Sequence, residues 1–523
     1  MIDLNLLDVH KYPRTDIGLA QMFHDAFEDE LLFCADVNEW YSWNGKNWAV
    51  DDCLYRCECA KQLYYKVMTQ VYSDPSVVGD ENARKFYQSL SSKKIRDRII
   101  DDARSINPIT CDRFDKSKFL FNCQNGTYDF LTNTFKPHDR HDYLTRISPV
   151  NYDPNADCKR FKQYLREVMQ DDERSIEYLL KIAAYCLTGD TTQECFFVLY
   201  GDKTRNGKST FVSTLTTLMG NYASNLRPAS ITRKNISTGG SNATPDIAKL
   251  VKSRLATVSE LEDGMMLDIS LIKTMTGGNA LSARELYSKE FTFTPQFKIL
   301  IDTNYLPKMT DDSIFNSDRI HLLCFDRHFE PQERDIHLKE TLQTEIDGIF
   351  NLIAGYYPKL RAEGFIMPDK TKETIEQYAL VSNNIRQFVS QCVWIKKGCY
   401  EKKTDVYKAY QKWCEENTYK VMASAKFFQK LLDLGFQLTP KALRKNSRGE
   451  SANTIWFKDI TLEEQDDDNA FQPVLIRDTK QGTPTLETFM KEIDSDPDEL
   501  PFPVDDDDEF IFADDLNDGE LPY

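Results

Sequence analysis

Ten residues constrain this chain more than any others: the run GDKTRNGKST, Gly201 to Thr210, set between the apolar stretch CFFVLY and the helix-like stretch STFVSTLTTLMG. A glycine-bearing loop that leaves a strand and enters a helix presents backbone N–H groups and a helix N-terminus to phosphate oxygens. A lysine at its end adds positive charge at the β- and γ-phosphates, and a following Ser or Thr completes a magnesium shell. Lys208 and Ser209 occupy those positions, with Gly201, Arg205, Asn206, Gly207 and Thr210 forming the rest of a candidate ATP and Mg2+ loop. Five residues separate Gly201 from Gly207, one more than the usual phosphate-loop spacing.

The surroundings of the loop read as an α/β core. The runs CFFVLY, RLATVS, FKILID and RIHLLCF are apolar, strand-like runs of the kind that a parallel sheet covered on both faces requires. Residues 191–369 are expected to form this core and a helical connection. Residues 1–190 mix helical periodicity (CLYRCECAKQLYYKVM, RFKQYLREVMQDDERSIEYLLKIAAYCL) with short strands turning at Asn125-Gly126 and Thr132-Asn133, an α+β domain. Residues 370–460 read as three helices and a basic two-stranded ribbon, the pattern of a winged-helix-like module. Residues 461–523 read as an acidic tail without a fold.

The charge distribution keeps nucleic acid open as a partner. The chain carries a net charge of −18, but from Thr461 onward 21 Asp and Glu face 3 Lys and Arg. The residues before Thr461 hold 62 of each sign. A neutral body with local basic patches binds phosphate through its local field. Thirteen cysteines without a repeating spacing, and no leader or long apolar stretch, predict reduced thiols, a cytoplasmic location and no membrane partner. Cys53, Cys57 and Cys59 fall in a helical pattern with no second paired cluster, which argues against zinc. His138 and His141 flank a turn.

Three further motifs follow the loop in order. RLATVSELEDG places Glu260 and Glu262 at a strand end, where one carboxylate can join the magnesium shell and another can activate water. Glu260 is the candidate metal-shell residue; taken alone, the motif reads more readily as a solvated acidic turn after a core strand. FKILIDTN ends on Asn304, a candidate γ-phosphate sensor or a turn former. Arg319 opens the run RIHLLCF and is a candidate arginine finger or a surface arginine.

The succession GDKTRNGKST, RLATVSELEDG, IKTMTGGNALSARELYSKEFTFTP, ILIDTNYLP and SDRIHLLCF resembles the superfamily 3 helicases, in particular the phage and plasmid primase-helicase group with its poxvirus-like members. NGTYDFLTNTFKPHDRHDYLTRISPVNYDP resembles the helicase-associated region of that group. The resemblance implies an AAA+-like P-loop NTPase and a catalytic set of Lys208, Glu260, Glu262, Asn304 and a trans-acting Arg319. It implies a homo-hexameric ring on single-stranded or forked DNA, with a primase or other replication protein as partner. It further implies a channel hairpin presenting Arg284, Tyr287 and Lys289 to DNA, where bases and an aromatic suit backbone contact and stacking. Lys441, Arg444, Lys445 and Arg448 would lie on the wing. The expected function is an ATP-dependent DNA helicase of a phage or mobile element in bacterial cytoplasm, without a primase domain. The alternative is a nucleotide-switched origin-binding initiator that unwinds little.

Overall fold

The computed structural model describes residues 7–233, 244–285, 290–309, 314–315, 317–382, 384–417, 419, 421–446, 449 and 451–462. Contacts divide the chain into two units, Met1–Asn384 and Ile385–Tyr523.

In the first unit, residues 9–103 build a lobe with its own apolar core. Thr15 caps the helix Asp16–Phe27, which buries Leu19, Met22, Phe23 and Phe27. The helices Tyr55–Ser73, Glu81–Gln88 and Lys93–Ala103 pack with it. The aromatic run EWYSWNGKNW supplies strands Glu39–Trp43 and Trp48–Val50, and the first also pairs with Leu31–Cys34. A second antiparallel sheet, Leu120–Asn122, Thr127–Asp129 and Thr134–Lys136, turns where the sequence predicts. The helical run that follows breaks at Gln170 and Asp171, both left-handed, giving helices Lys159–Met169 and Glu173–Leu187. Asp172 then caps the second helix by accepting the Arg174 N–H at 3.1 Å.

These elements share one core with a five-stranded parallel sheet, so no division falls at residue 190. Its strands are β1 (Phe196–Tyr200), β2 (Ala223–Asn225), β3 (Leu255–Ser259), β4 (Lys298–Thr303) and β5 (Ile320–Cys324). Their order is β5-β1-β4-β3-β2, every pair parallel. The chain crosses from β1 to the far edge, returns to β4 beside β1, and finishes at β5 on β1's other side. The carboxyl end of β1 is therefore the point where strand order reverses, the place where open α/β sheets bind ligands. At the opposite end of the sheet two buried cations meet carbonyls of a helix end. Arg254 donates to Leu187 O at 2.7 Å, and Lys298 donates to Thr188 O.

The helix Asp369–Ser382, which the sequence reading assigns almost wholly to the C-terminal module, belongs to this first unit. Its Ile375, Tyr378 and Ala379 join the core on one face of the sheet, Tyr378 Oη donates to Pro307 O, and Lys370 pairs with Asp326. Apolar burial at the spacing of one helix face overrides the expected boundary at residue 370.

The second unit holds helices Lys403–Glu416 and Ser424–Asp433 and most of Asn384–Cys392. Phe388, Tyr410, Trp413 and Phe427 fill its core, with the Tyr410 and Phe427 rings stacked at 4.3 Å. The basic ribbon is a hairpin, Ala442–Lys445 against Ser451–Thr454. Strand Trp394–Lys402, absent from the sequence reading, pairs antiparallel with Trp456–Thr461 across an irregularity between Ile395 and Tyr400. The acidic residues 463–523 lie outside the described residues. Among the described residues no helix is long and apolar enough to cross a membrane.

Candidate functional site

The loop between β1 and the helix Lys208–Met219 is held in a shape that depends on its glycines. A Cβ on Gly201 would stand 2.7 Å from Phe325 O, beside β5. Gly207, at φ +94°, would push one to 2.5 Å from Val168 Cγ1, and Tyr164 Oη donates to Gly207 O at 2.8 Å. The helix Lys159–Met169 thus braces the loop from outside the sheet. Arg205 is also left-handed and exposed, and the Phe329 N–H donates to its carbonyl at 3.1 Å. Thr210 begins the helix ladder, its N–H donating to Gly207 O at 3.0 Å.

Lys208 is buried, yet its ammonium is well supplied with acceptors. Nζ donates to Asn304 Oδ1 at 2.8 Å, to Asn206 Oδ1 at 3.1 Å and to Gly201 O at 3.3 Å. Burial lowers its pKa from the ordinary lysine value, opposed by the charges of Asp302 and Asp202. Beside it, Ser209 Oγ donates to Asp302 Oδ2 at 2.9 Å. Asp302 lies near the end of β4 and is 7% exposed. Burial pushes its carboxyl upward and Glu260 adds to that, while Ser209 and Lys208 pull it down. Glu260, left-handed just past β3, donates its N–H to Asp302 O at 3.2 Å. Serine hydroxyl and two carboxylates are hard oxygen donors of the kind magnesium takes.

The sequence reading missed Asp302. It also missed Tyr164, whose loop contact spans 43 residues. The one signal for Asp302 is a carboxylate that closes the apolar stretch Ile299–Ile301 of the run FKILID. Glu262 stands two residues beyond Glu260, exposed, with its carbonyl accepting the Met265 N–H in a turn.

Arg319 is not brought to the loop of its own chain. It precedes β5 at the amino end of the sheet, whereas the loop leaves the carboxyl end of β1. The β1 strand between them has five residues, about 16 Å of extended backbone. The Arg319 guanidinium pairs with Glu194 and reaches Thr276 Oγ1 at 3.4 Å. A cavity of about 180 Å³ adjoins the loop on the β5 side, lined by Val168, Met169, Gln170, Ser175, Leu323 and Lys370, among others.

The expected hairpin has its two strands, Leu281–Ala283 against Phe291–Phe293. Arg284 follows the first strand, its N–H donating to Thr244 Oγ1 at 3.1 Å. Tyr287 and Lys289 lie outside the described residues. In the second unit Lys441 and Lys445 are exposed and the Arg444 guanidinium sits 4.3 Å from the Tyr400 ring centroid. Arg448 lies outside the described residues. Among the described residues, Cys53, Cys57 and Cys59 do not converge, whereas two thiols and a carboxylate, Cys34, Cys111 and Asp36, come together elsewhere.

Three family models match the chain: D5 N terminal like over residues 20–170, a family of unknown function (DUF5906) over residues 199–319, and Poxvirus D5 protein-like over residues 381–462. The chain is 23% identical over 431 residues to a "Putative helicase" of Acanthamoeba polyphaga mimivirus, covering 73% of this chain and 44% of that protein. It is 22% identical over 475 residues to a "Putative helicase" of Invertebrate iridescent virus 3, covering 76% and 50%. To "Primase D5" of Fowlpox virus it is 26% identical over 300 residues, covering 51% and 36%. The chain spans half or less of the length of these curated relatives. Among solved structures, the apo NrS-1 C-terminal region aligns over 85% of this chain and 99% of that one, at 11% identity and a TM-score of 0.46. Models of D5-type proteins flank the phosphate-loop body on both sides, and these matches together with the viral relatives support a poxvirus-like primase-helicase family for the chain.

Proposed function

We propose that this protein is an ATP- and magnesium-dependent motor that separates DNA strands in the replication of a viral genome. The observation that carries the reading is the convergence on one sheet end of Lys208, bonded to Asn206 and Asn304, with the Ser209–Asp302 pair beside it. A buried cation and a row of oxygen donors at a helix N-terminus suit a polyphosphate with its metal.

In this mechanism Lys208 turns from its asparagine partners to the β- and γ-phosphate oxygens, and the loop and helix N–H groups share their charge. Ser209, Asp302 and Glu260 would hold Mg2+, and the ion would supply positive charge to offset the negative charge that develops during transfer. Asn304 positions the attacking water, and Glu260 or Glu262, both exposed beyond β3, takes its proton. The cavity lined by Val168 and Leu323 receives the base. Arg319 of an adjoining subunit completes the site, which makes the working form a ring, hexameric by family likeness. The hairpin carrying Arg284, Tyr287 and Lys289 grips the strand, and the basic ribbon of the second unit, Lys441, Arg444, Lys445 and Arg448, holds phosphates.

The test is ATP hydrolysis by the purified chain with and without single-stranded or forked DNA, beside Lys208→Ala, with mass followed in solution. DNA-stimulated turnover by a multi-subunit species that vanishes in the variant is the expected result. Sequence-specific duplex binding without turnover would replace the motor with an origin-binding initiator.

A further inference from the structure

Away from the phosphate loop, two thiols and a carboxylate meet where the N-terminal lobe joins the α/β body. Cys34, at the end of strand Leu31–Cys34, is wholly buried, while Cys111 is half-buried on the segment leading out of the lobe. Their sulfurs are 3.1 Å apart although 77 residues separate them in sequence. The Cys34 thiol donates to Asp36 Oδ1 at 3.0 Å, and both Asp36 oxygens accept the Cys111 N–H at 3.1 Å. Lys252, from the body, donates to Cys111 O at 2.8 Å and stands 3.7 Å from Asp115.

The trio is an unsuitable frame for a metal ion as it stands. Zinc at about 2.3 Å from two sulfurs in tetrahedral geometry holds them about 3.7 Å apart, wider than they are. Only three protein donors converge, and closed zinc sites use four. A disulfide, by contrast, requires the sulfurs to close by about 1 Å.

The division of labour between the thiols fits oxidation. The contact with Cys34 lowers the Cys111 thiol, and the Lys252 ammonium lowers it further, against burial and the Asp36 charge. Its contact with Cys111, burial and Asp36 all raise the Cys34 thiol. A partly accessible thiol that ionises first, backed by a buried thiol beside a proton acceptor, is the arrangement of a reactive cysteine and its resolving partner.

We propose that Cys34 and Cys111 are a peroxide-responsive dithiol that closes to a disulfide, with Asp36 relaying the proton. The Cys111 thiolate attacks hydrogen peroxide; an S–O bond forms, the O–O bond breaks, and hydroxide leaves as water with the proton Cys111 gave up. Cys34 passes its proton to Asp36 and its sulfur attacks the Cys111 sulfenic acid. The S–S bond forms, the S–O bond breaks, and the departing hydroxide takes the proton from Asp36 as a second water. Two thiols are oxidised and one peroxide is reduced to two waters. The bond ties the lobe's first strand to the segment that Lys252 clamps to the body.

The experiment exposes the reduced full chain to stoichiometric hydrogen peroxide, blocks the remaining thiols and maps the peptides by mass. The expected result is loss of two of the thirteen thiols, a Cys34–Cys111 linked peptide and its reversal by dithiothreitol. Cys111→Ser, at the half-buried position, leaves Cys34 fully alkylatable after the same exposure once the chain is unfolded in denaturant, and Cys34→Ser leaves a sulfenic acid on Cys111 that dimedone captures. Oxidation that begins at exposed Cys53 while Cys34 and Cys111 stay reduced would overturn the proposal. So would one equivalent of zinc retained through dialysis by the native chain and lost in Cys111→Ser.

Discussion

Ser209 Oγ donates a 2.9 Å hydrogen bond to Asp302 Oδ2, joining the first turn of the loop helix to the strand beside it. Asp302→Asn keeps the shape and removes the charge. In the proposed site the variant binds Mg2+ about 10- to 100-fold more weakly, the usual cost of losing a carboxylate around a metal. The check is ATPase activity against Mg2+ concentration, with nucleotide binding measured separately in EDTA. Unchanged Mg2+ dependence would leave Asp302 with a purely structural bond.

Gly207 and Gly355 make a matched pair for testing loop strain. Gly207 is left-handed with Val168 in the way, so Gly207→Ala is expected to cost about 1–3 kcal/mol. Gly355 has φ −63° and room for a methyl group, with its nearest neighbour 3.4 Å away. Gly355→Ala is expected to be neutral or to stabilise by up to about 1 kcal/mol. Chemical denaturation of the two variants ranks them, and equal effects would contradict the loop geometry.

His321 gives the body an acid sensitivity. Burial lowers its imidazole to about 4, and Tyr178 Oη lies 2.6 Å from Nδ1. The unfolded chain, with an ordinary histidine near 6.5, takes up this proton first as pH falls. The contribution is therefore intact above about pH 6.5 and is lost as pH drops toward 4, about 3 kcal/mol in all. His321→Phe retains ring contacts with Phe365 and Phe197 and removes the titration. Melting temperatures from pH 7 to 4 should fall more steeply for the native chain than for the variant.

The sheet was legible because its strands are predominantly apolar runs, and the loop because strand, glycines and lysine are contiguous. What lay beyond reach joins residues distant in sequence: Lys208 meets Asn304 across 96 positions and Ser209 meets Asp302 across 93. Asp302 reads as the polar end of a strand until the fold sets it against the helix. Strand Trp394–Lys402 was missed because its lysines and Gly398 break the alternation, and Gly398 N–H is satisfied by Asp459 Oδ1 at 2.7 Å. Periodicity shows that one face of the helix Asp369–Ser382 is apolar without showing what covers it, and the fold sets that face on the first unit.

The separation of Arg319 from its own phosphate loop by the length of a strand has a genetic consequence. With the loop at one end of the sheet and the arginine at the other, each proposed site is shared by two chains, and the head-to-tail contact of the proposed ring would complete it. Lys208→Ala and Arg319→Ala preparations, each inert alone, then complement one another when mixed. Wherever a chain that retains Lys208 meets one that retains Arg319, an intact site reappears, at about a quarter of the junctions in an equal mixture.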